Sequence, residues 1–74
     1  MSDLRVLLVD DHAFSRAGVR AMLTAADAGV QVIGEAFSGE DAISLARTLA
    51  PDVVVMDLAL PGISGLEATR RILA

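Results

Sequence analysis

Arg5-Val6-Leu7-Leu8-Val9 is a short apolar run that stops at Asp10-Asp11. Its length and its Val and Leu content predict a strand buried on both faces. The period then changes. Phe14, Gly18, Ala21, Met22 and Ala25 recur at spacings of three and four, with Arg16 and Arg20 on another face. That pattern predicts an amphipathic helix from Ser15 to about Ala26, buried along the apolar stripe and stopped by Gly29. Val30 to Ala36 reads as a second strand, Val30, Val32 and Gly34 alternating with Gln31, Ile33 and Glu35. Ser38 is placed to cap a second helix, with Glu40 in the first turn and Asp41 at the capping-box position. Ala42, Ile43, Leu45, Ala46 and Leu49 form its buried stripe, and Pro51 ends it. Val53 to Met56 predicts a third buried strand that runs into Asp57. Leu58 to Gly65 is a loop punctuated by Pro61-Gly62 and Gly65. A third helix starts at Leu66, carries Ala68, Ile72 and Leu73, and is still running at the last residue.

The order βαβαβα, with continuous apolar strands, predicts an α/β fold with a parallel sheet and right-handed crossovers. If the first two helices cover opposite faces, the first strand is central and the strand order is 2-1-3. Ligands in such sheets bind beyond the carboxyl ends of the strands where the winding reverses. Asp10, Asp11 and Asp57 should therefore converge there. Met22 and Met56 are expected in the core. Arg16 with Arg20, and Arg70 with Arg71, are expected on solvated helix faces.

Composition narrows the function. The chain has 74 residues, enough for one small domain, and no Cys for a disulfide or thiolate site. Apolar residues make up 54% and aromatics 3%, which suits strands covered by small-residue helices. The apolar runs are too short to span a membrane, and Met1-Ser2-Asp3-Leu4-Arg5 lacks the features of a signal peptide. A soluble cytoplasmic protein is the expectation. A net charge of −4 argues against nucleic-acid binding by this segment.

Three carboxylates gathered at one site repel one another and call for a cation. An all-oxygen donor set with room for water or phosphate suits Mg²⁺. An Asp beside such an ion can attack phosphorus and carry an aspartyl phosphate. Taken singly, an Asp pair after a strand is more often a turn or a cap. The conjunction of two strand ends is what favours a site. His12 reads as a residue at the rim rather than a ligand.

Val6-Leu7-Leu8-Val9-Asp10-Asp11-His12, then Arg16-Ala17-Gly18-Val19-Arg20, then the stretch from Pro51 through Asp57, Pro61, Gly62 and Gly65 to Glu67 resembles a response-regulator receiver domain. The opening motifs are most similar to the LuxR-type (NarL/FixJ) transcriptional regulators. The resemblance covers essentially the whole chain. It implies a flavodoxin-like (CheY-like) sheet, truncated to βαβαβα. It also implies that Asp57 is the phosphoacceptor, that Asp11 binds Mg²⁺ directly, and that Asp10 supports it, often through water. Ala59 would supply a backbone carbonyl to the ion, and Pro61 and Gly65 would shape the pocket loop. The implied partner is a sensor histidine kinase, with DNA bound only through a C-terminal helix-turn-helix domain.

A complete receiver has two further βα units, the fourth strand ending in Ser or Thr and the fifth in Lys. This sequence has neither strand and no Lys. The expectation is a partial receiver over residues 1–74, not an enzyme beyond self-catalysed phosphotransfer and dephosphorylation. Its third strand would have an exposed edge open to self-association. The alternative is a degenerate receiver acting as a phosphorylation-independent interaction module. A Mg²⁺-dependent hydrolase with an Asp nucleophile is disfavoured, because Ala59 stands where its second acid would be.

Overall fold

Strand β1 (Leu4–Val9) lies at the centre of the sheet, flanked by β2 (Val30–Ala36) and β3 (Val53–Met56) in the order β2-β1-β3. Both pairings are parallel. Helices α1 (Ala13–Ala26), α2 (Gly39–Leu49) and α3 (Gly65–Leu73) alternate with the strands. This is the expected architecture and strand order. The computed structural model describes residues 4–26 and 29–74. The first three residues, part of the stretch read for a signal peptide, lie outside the described residues. No helix among the described residues is long and apolar enough to cross a membrane.

Side chains along β1 point alternately to the two faces of the sheet. Leu7 and Val9 join Ala36 and Ala42 in the core, with Leu45, Ala46, Val54, Met56, Leu60 and Ile72 packed around them. That is the face under α2 and α3. Leu8 and Val55, paired across the strands, face the other way and line a cavity together with Arg16 and Val19 of α1. The first two helices therefore cover opposite faces. Leu7, Leu8 and Val9 are at most 2% exposed, and burying side chains of this kind contributes about 1.5–3 kcal/mol each. Met56 packs against the core as expected.

Two expectations about α1 and β2 are corrected. The apolar stripe Phe14, Gly18, Ala21, Met22 and Ala25 faces outward, with Phe14 93% and Met22 71% exposed. Met22 is therefore not a core residue. Among the described side chains of α1, the half-buried ones are Arg16, Val19 and Leu23. Periodicity identifies a stripe but not what covers it, and here the anchoring of Arg16 sets the rotation of the helix. In β2, Val32 pairs with Val6 but Gly34 pairs with Leu7, so the register shifts at Ile33. The bulge breaks the simple alternation read from the sequence.

The helix ends are fixed chemically. Ser38 caps α2 as expected, its Oγ accepting the Asp41 N–H at 3.1 Å. Ser64 does the same for α3 with the Glu67 N–H, so this helix starts at Gly65, one residue before the expected Leu66. At the other end of α2, Ala50 turns left-handed (φ 48°) and its N–H returns to the Ala46 carbonyl. Arg5 then donates from Nη1 to the Ala50 carbonyl and from Nη2 to the Leu49 carbonyl, both at 2.7 Å. A basic side chain on terminal carbonyls also meets the negative end of the helix dipole.

Candidate functional site

Main-chain pairing continues past the strand ends and sets the acids side by side. The Asp10 N–H donates to the Ala36 carbonyl at 3.1 Å, and the Asp57 N–H to the Val9 carbonyl at 2.9 Å. Ligand atoms of Asp10, Asp11, His12 and Asp57 then lie within 4.8 Å of one another. The three acids singled out from the sequence are thus brought together, as the strand order requires. His12 is exposed and at the rim, yet its Nδ1 is 2.9 Å from Asp11 Oδ1 and 3.2 Å from Asp10 Oδ1. Its ring nitrogen joins the cluster, which the sequence reading did not expect.

The carboxylates are held by local main chain. Asp10 Oδ1 accepts the His12 N–H at 2.9 Å. That bond lowers the Asp10 carboxyl below its ordinary range against the opposing cost of desolvation, with smaller help from the His12 ring and Arg16. Asp57 Oδ1 accepts the Ala59 N–H at 3.0 Å, an Asx turn that fixes the start of the loop.

The loop is clamped to the helices around it. The Gly65 N–H donates to the Leu58 carbonyl at 3.1 Å, and a Cβ on Gly65 would collide with the Asp57 carbonyl oxygen and Leu58 Cα. Only glycine lets α3 start this close to the strand end. Gly62 takes a positive φ of 74°, after an exposed Pro61. Ile63 lies over Gly39 at the start of α2, leaving no room for a side chain there. The β3–α3 loop therefore rests on two helix N-termini.

A cavity runs between α1 and the sheet, its walls including Leu8, Asp10, Arg16, Val19, Val55 and Asp57. Arg16 corrects a further expectation, because its side chain is only 11% exposed rather than solvated. Its Nη1 donates to the Asp10 carbonyl at 2.7 Å and its Nε to Glu35 Oε1 at 3.1 Å. The guanidinium also lies 4.3 Å from the centroid of the Phe37 ring. Glu35 additionally receives Arg20 Nη1 on its other oxygen at 2.5 Å. The signal for this cluster was available in the sequence: order 2-1-3 puts the end of β2, with Glu35, next to the first turn of α1.

The donor set suits a small hard cation. Oxygens on one Mg²⁺ stand about 2.0–2.1 Å from it, so opposite ligands are about 4.2 Å apart. Adjacent ligands in the same octahedron are about 3 Å apart, so the atoms gathered here within 4.8 Å would draw inward around an ion, which their charge favours.

Residues 6–74 match the family described as the response regulator receiver domain. Over 70 residues the chain is 56% identical to the response regulator GacA of Pseudomonas viridiflava, covering 95% of this chain and 32% of that protein. It is 56% identical over 69 residues to the response regulator UvrY of Escherichia coli K12, covering 93% and 31% respectively. The chain thus spans about a third of the length of the curated relatives it matches. Among solved structures, a LuxR-family two-component response regulator from Aurantimonas superposes with a TM-score of 0.90 at 46% identity, covering 96% of this chain and 50% of that one. A CheX–CheY complex with BeF₃ and Mg²⁺ from Borrelia burgdorferi gives 0.86 at 26% identity, covering 97% and 54%. With the family pattern matched from Val6 to Ala74 and the acids of β1 and β3 gathered at one end of a 2-1-3 sheet, the chain belongs to the response regulator receiver domain family.

Proposed function

We propose that this chain accepts a phosphoryl group on Asp57 from the phosphohistidine of a sensor histidine kinase. The observation that carries this reading is the convergence of Asp10, Asp11 and Asp57 beyond the carboxyl ends of β1 and β3. One Asp57 carboxylate oxygen forms the new O–P bond as the N–P bond to the donor breaks. The electron pair of that bond stays on the imidazole, which leaves neutral when its other nitrogen carries a proton. Asp57 is positioned for this by the Val9 carbonyl and the Ala59 N–H, which fix its main chain and one carboxylate oxygen.

Mg²⁺ held by Asp11, Asp57 and the Ala59 carbonyl, with Asp10 in support through water, would neutralise the charge that three acids and a phosphoryl group bring together. Gly65 keeps the loop close to Asp57, and Pro61 leads into the Gly62 turn. The similar Borrelia structure, solved with BeF₃ and Mg²⁺, supports the same ligand chemistry here. In this reading the chain works in the cytoplasm as the receiver part of a longer regulator, whose output is DNA binding carried elsewhere in that protein.

Beryllofluoride, a mimic of the aspartyl phosphate, tests the assignment on the full-length protein. It should bind in the presence of Mg²⁺ and fail to bind after Asp57→Asn. Absence of binding to the unsubstituted protein would overturn the reading and favour a phosphorylation-independent interaction module.

A further inference from the structure

We infer that Arg16 is a positioning residue for the metal-binding acids, acting through the peptide that joins Asp10 to Asp11. The inference deepens the proposed function and rests on it. The carbonyl that Arg16 Nη1 holds at 2.7 Å belongs to that peptide. Turning this peptide plane would swing the Asp11 backbone and move its carboxylate relative to Asp57. The Asp10 N–H is already fixed on the Ala36 carbonyl, so Arg16 supplies the restraint on the following peptide.

Arg16 is itself held on several sides. Glu35 takes its Nε, Phe37 lies against the guanidinium, and the first turn of α1 carries it through the Arg16 N–H bond to the His12 carbonyl. A guanidinium at 11% exposure would be costly without such partners. Its planar fork explains why Arg suits the position: one nitrogen reaches the acid loop while another is tied to β2. Arg16 and the two acids Asp10 and Asp57 share one cavity wall, and among the described residues Arg16 makes its side-chain hydrogen bonds to the Asp10 carbonyl and Glu35 rather than to either acid's carboxylate. Its influence therefore runs through the main chain and through its charge.

Outer-sphere partners that orient metal ligands typically contribute 10–100-fold to metal affinity. Mg²⁺ titration of the full-length, unphosphorylated protein, followed by amide NMR shifts, provides the test. Arg16→Lys keeps the charge but loses the fork, and should weaken Mg²⁺ binding by about tenfold or more. Glu35→Ala should follow it in direction, while Glu35→Gln, which retains an oxygen for Nε, should stay within about threefold of the unsubstituted protein. Leu23→Ala, a change elsewhere on α1, should lower the melting temperature and leave Mg²⁺ affinity unchanged. Arg16→Lys within about twofold of the unsubstituted protein, or equal losses in Arg16→Lys and Leu23→Ala, overturns the inference. Asp11→Ala separates the two levels. If it removes Mg²⁺ binding while Arg16→Lys does not change it, the metal site stands and the role of Arg16 falls. If Mg²⁺ binding survives Asp11→Ala, the metal assignment falls and takes this inference with it.

Discussion

At the amino end of the sheet, Arg5 sends its guanidinium to the last carbonyls of α2, and its N–H donates to the Asp52 carboxylate at 2.8 Å. The Asp52 N–H returns to the Arg5 carbonyl. Each charge there meets an opposite charge or dipole, and the cluster joins the starts of β1 and β3 to the end of α2. At the carboxyl end, Asp10, Asp11 and Asp57 gather their oxygens within 4.8 Å, with one histidine nitrogen among them. Like charges brought this close raise the energy of the folded chain unless a cation joins them. One end completes its electrostatics within the fold. The other leaves part of that task to a ligand, and a binding site is where such an arrangement belongs.

If the carboxyl end owes its geometry to the loop after β3, Gly65→Ala should have the largest effect. The new methyl would strike main chain at Asp57 and Leu58, which cannot yield as a flexible side chain can. A loss of roughly 3 kcal/mol is expected, read from the denaturant midpoint of the full-length protein. Beryllofluoride binding should fall as well, because the displaced atoms belong to Asp57 itself. Unchanged stability and binding would show that α3 can slide away from the strand end without affecting the site.

Arg5→Ala probes the opposite end and should cost less. It removes two charge-assisted bonds and leaves the Leu49 and Ala50 carbonyls to water, for an expected loss of about 2 kcal/mol. Beryllofluoride and Mg²⁺ binding should be unaltered at temperatures where the variant stays folded. A marked loss of Mg²⁺ affinity would mean that the two ends are coupled along β1, and the contrast between them would not hold.

Both ends were legible in the sequence to different degrees. The acids could be placed because Asp10, Asp11 and Asp57 follow apolar runs directly, and strand order 2-1-3 leaves them one place to meet. The α2 cap was legible because Ser38 and Asp41 stand at fixed spacing. Arg5 was hidden, since a residue at the start of a strand gives no local sign that it will reach a helix end more than forty positions away. Arg16 was misplaced for a related reason. Helical periodicity put it on a polar face, but Glu35, Phe37 and the Asp10 carbonyl make that face the inward one. The exposed Phe14 and Met22 are the same error seen from the other side of α1. Long-range partners of charged groups set the rotation of this helix, and the local period carries no information about them.

The smallest effect is expected at Glu67, an acid in the first turn of α3 whose cations are already in place. Its oxygens receive Arg70 Nε and Nη2 at 3.1 and 2.6 Å, and Arg71 Nε at 2.8 Å. The Arg70 bonds first, then the Arg71 bond, lower its pKa from 4.5 to about 2. The folded state thus holds the proton less tightly than the unfolded chain. The stabilisation is complete above about pH 4.5 and disappears as pH falls through about 2. Because both arginines reach into solvent at positions i+3 and i+4, screening keeps the effect small. Glu67→Gln should lower the denaturant midpoint slightly at pH 7, by less at 0.5 M salt, and by progressively less as pH falls from about 4.5 towards 2. A difference that grows on acidification would mean that Glu67 is more stable protonated in the folded protein.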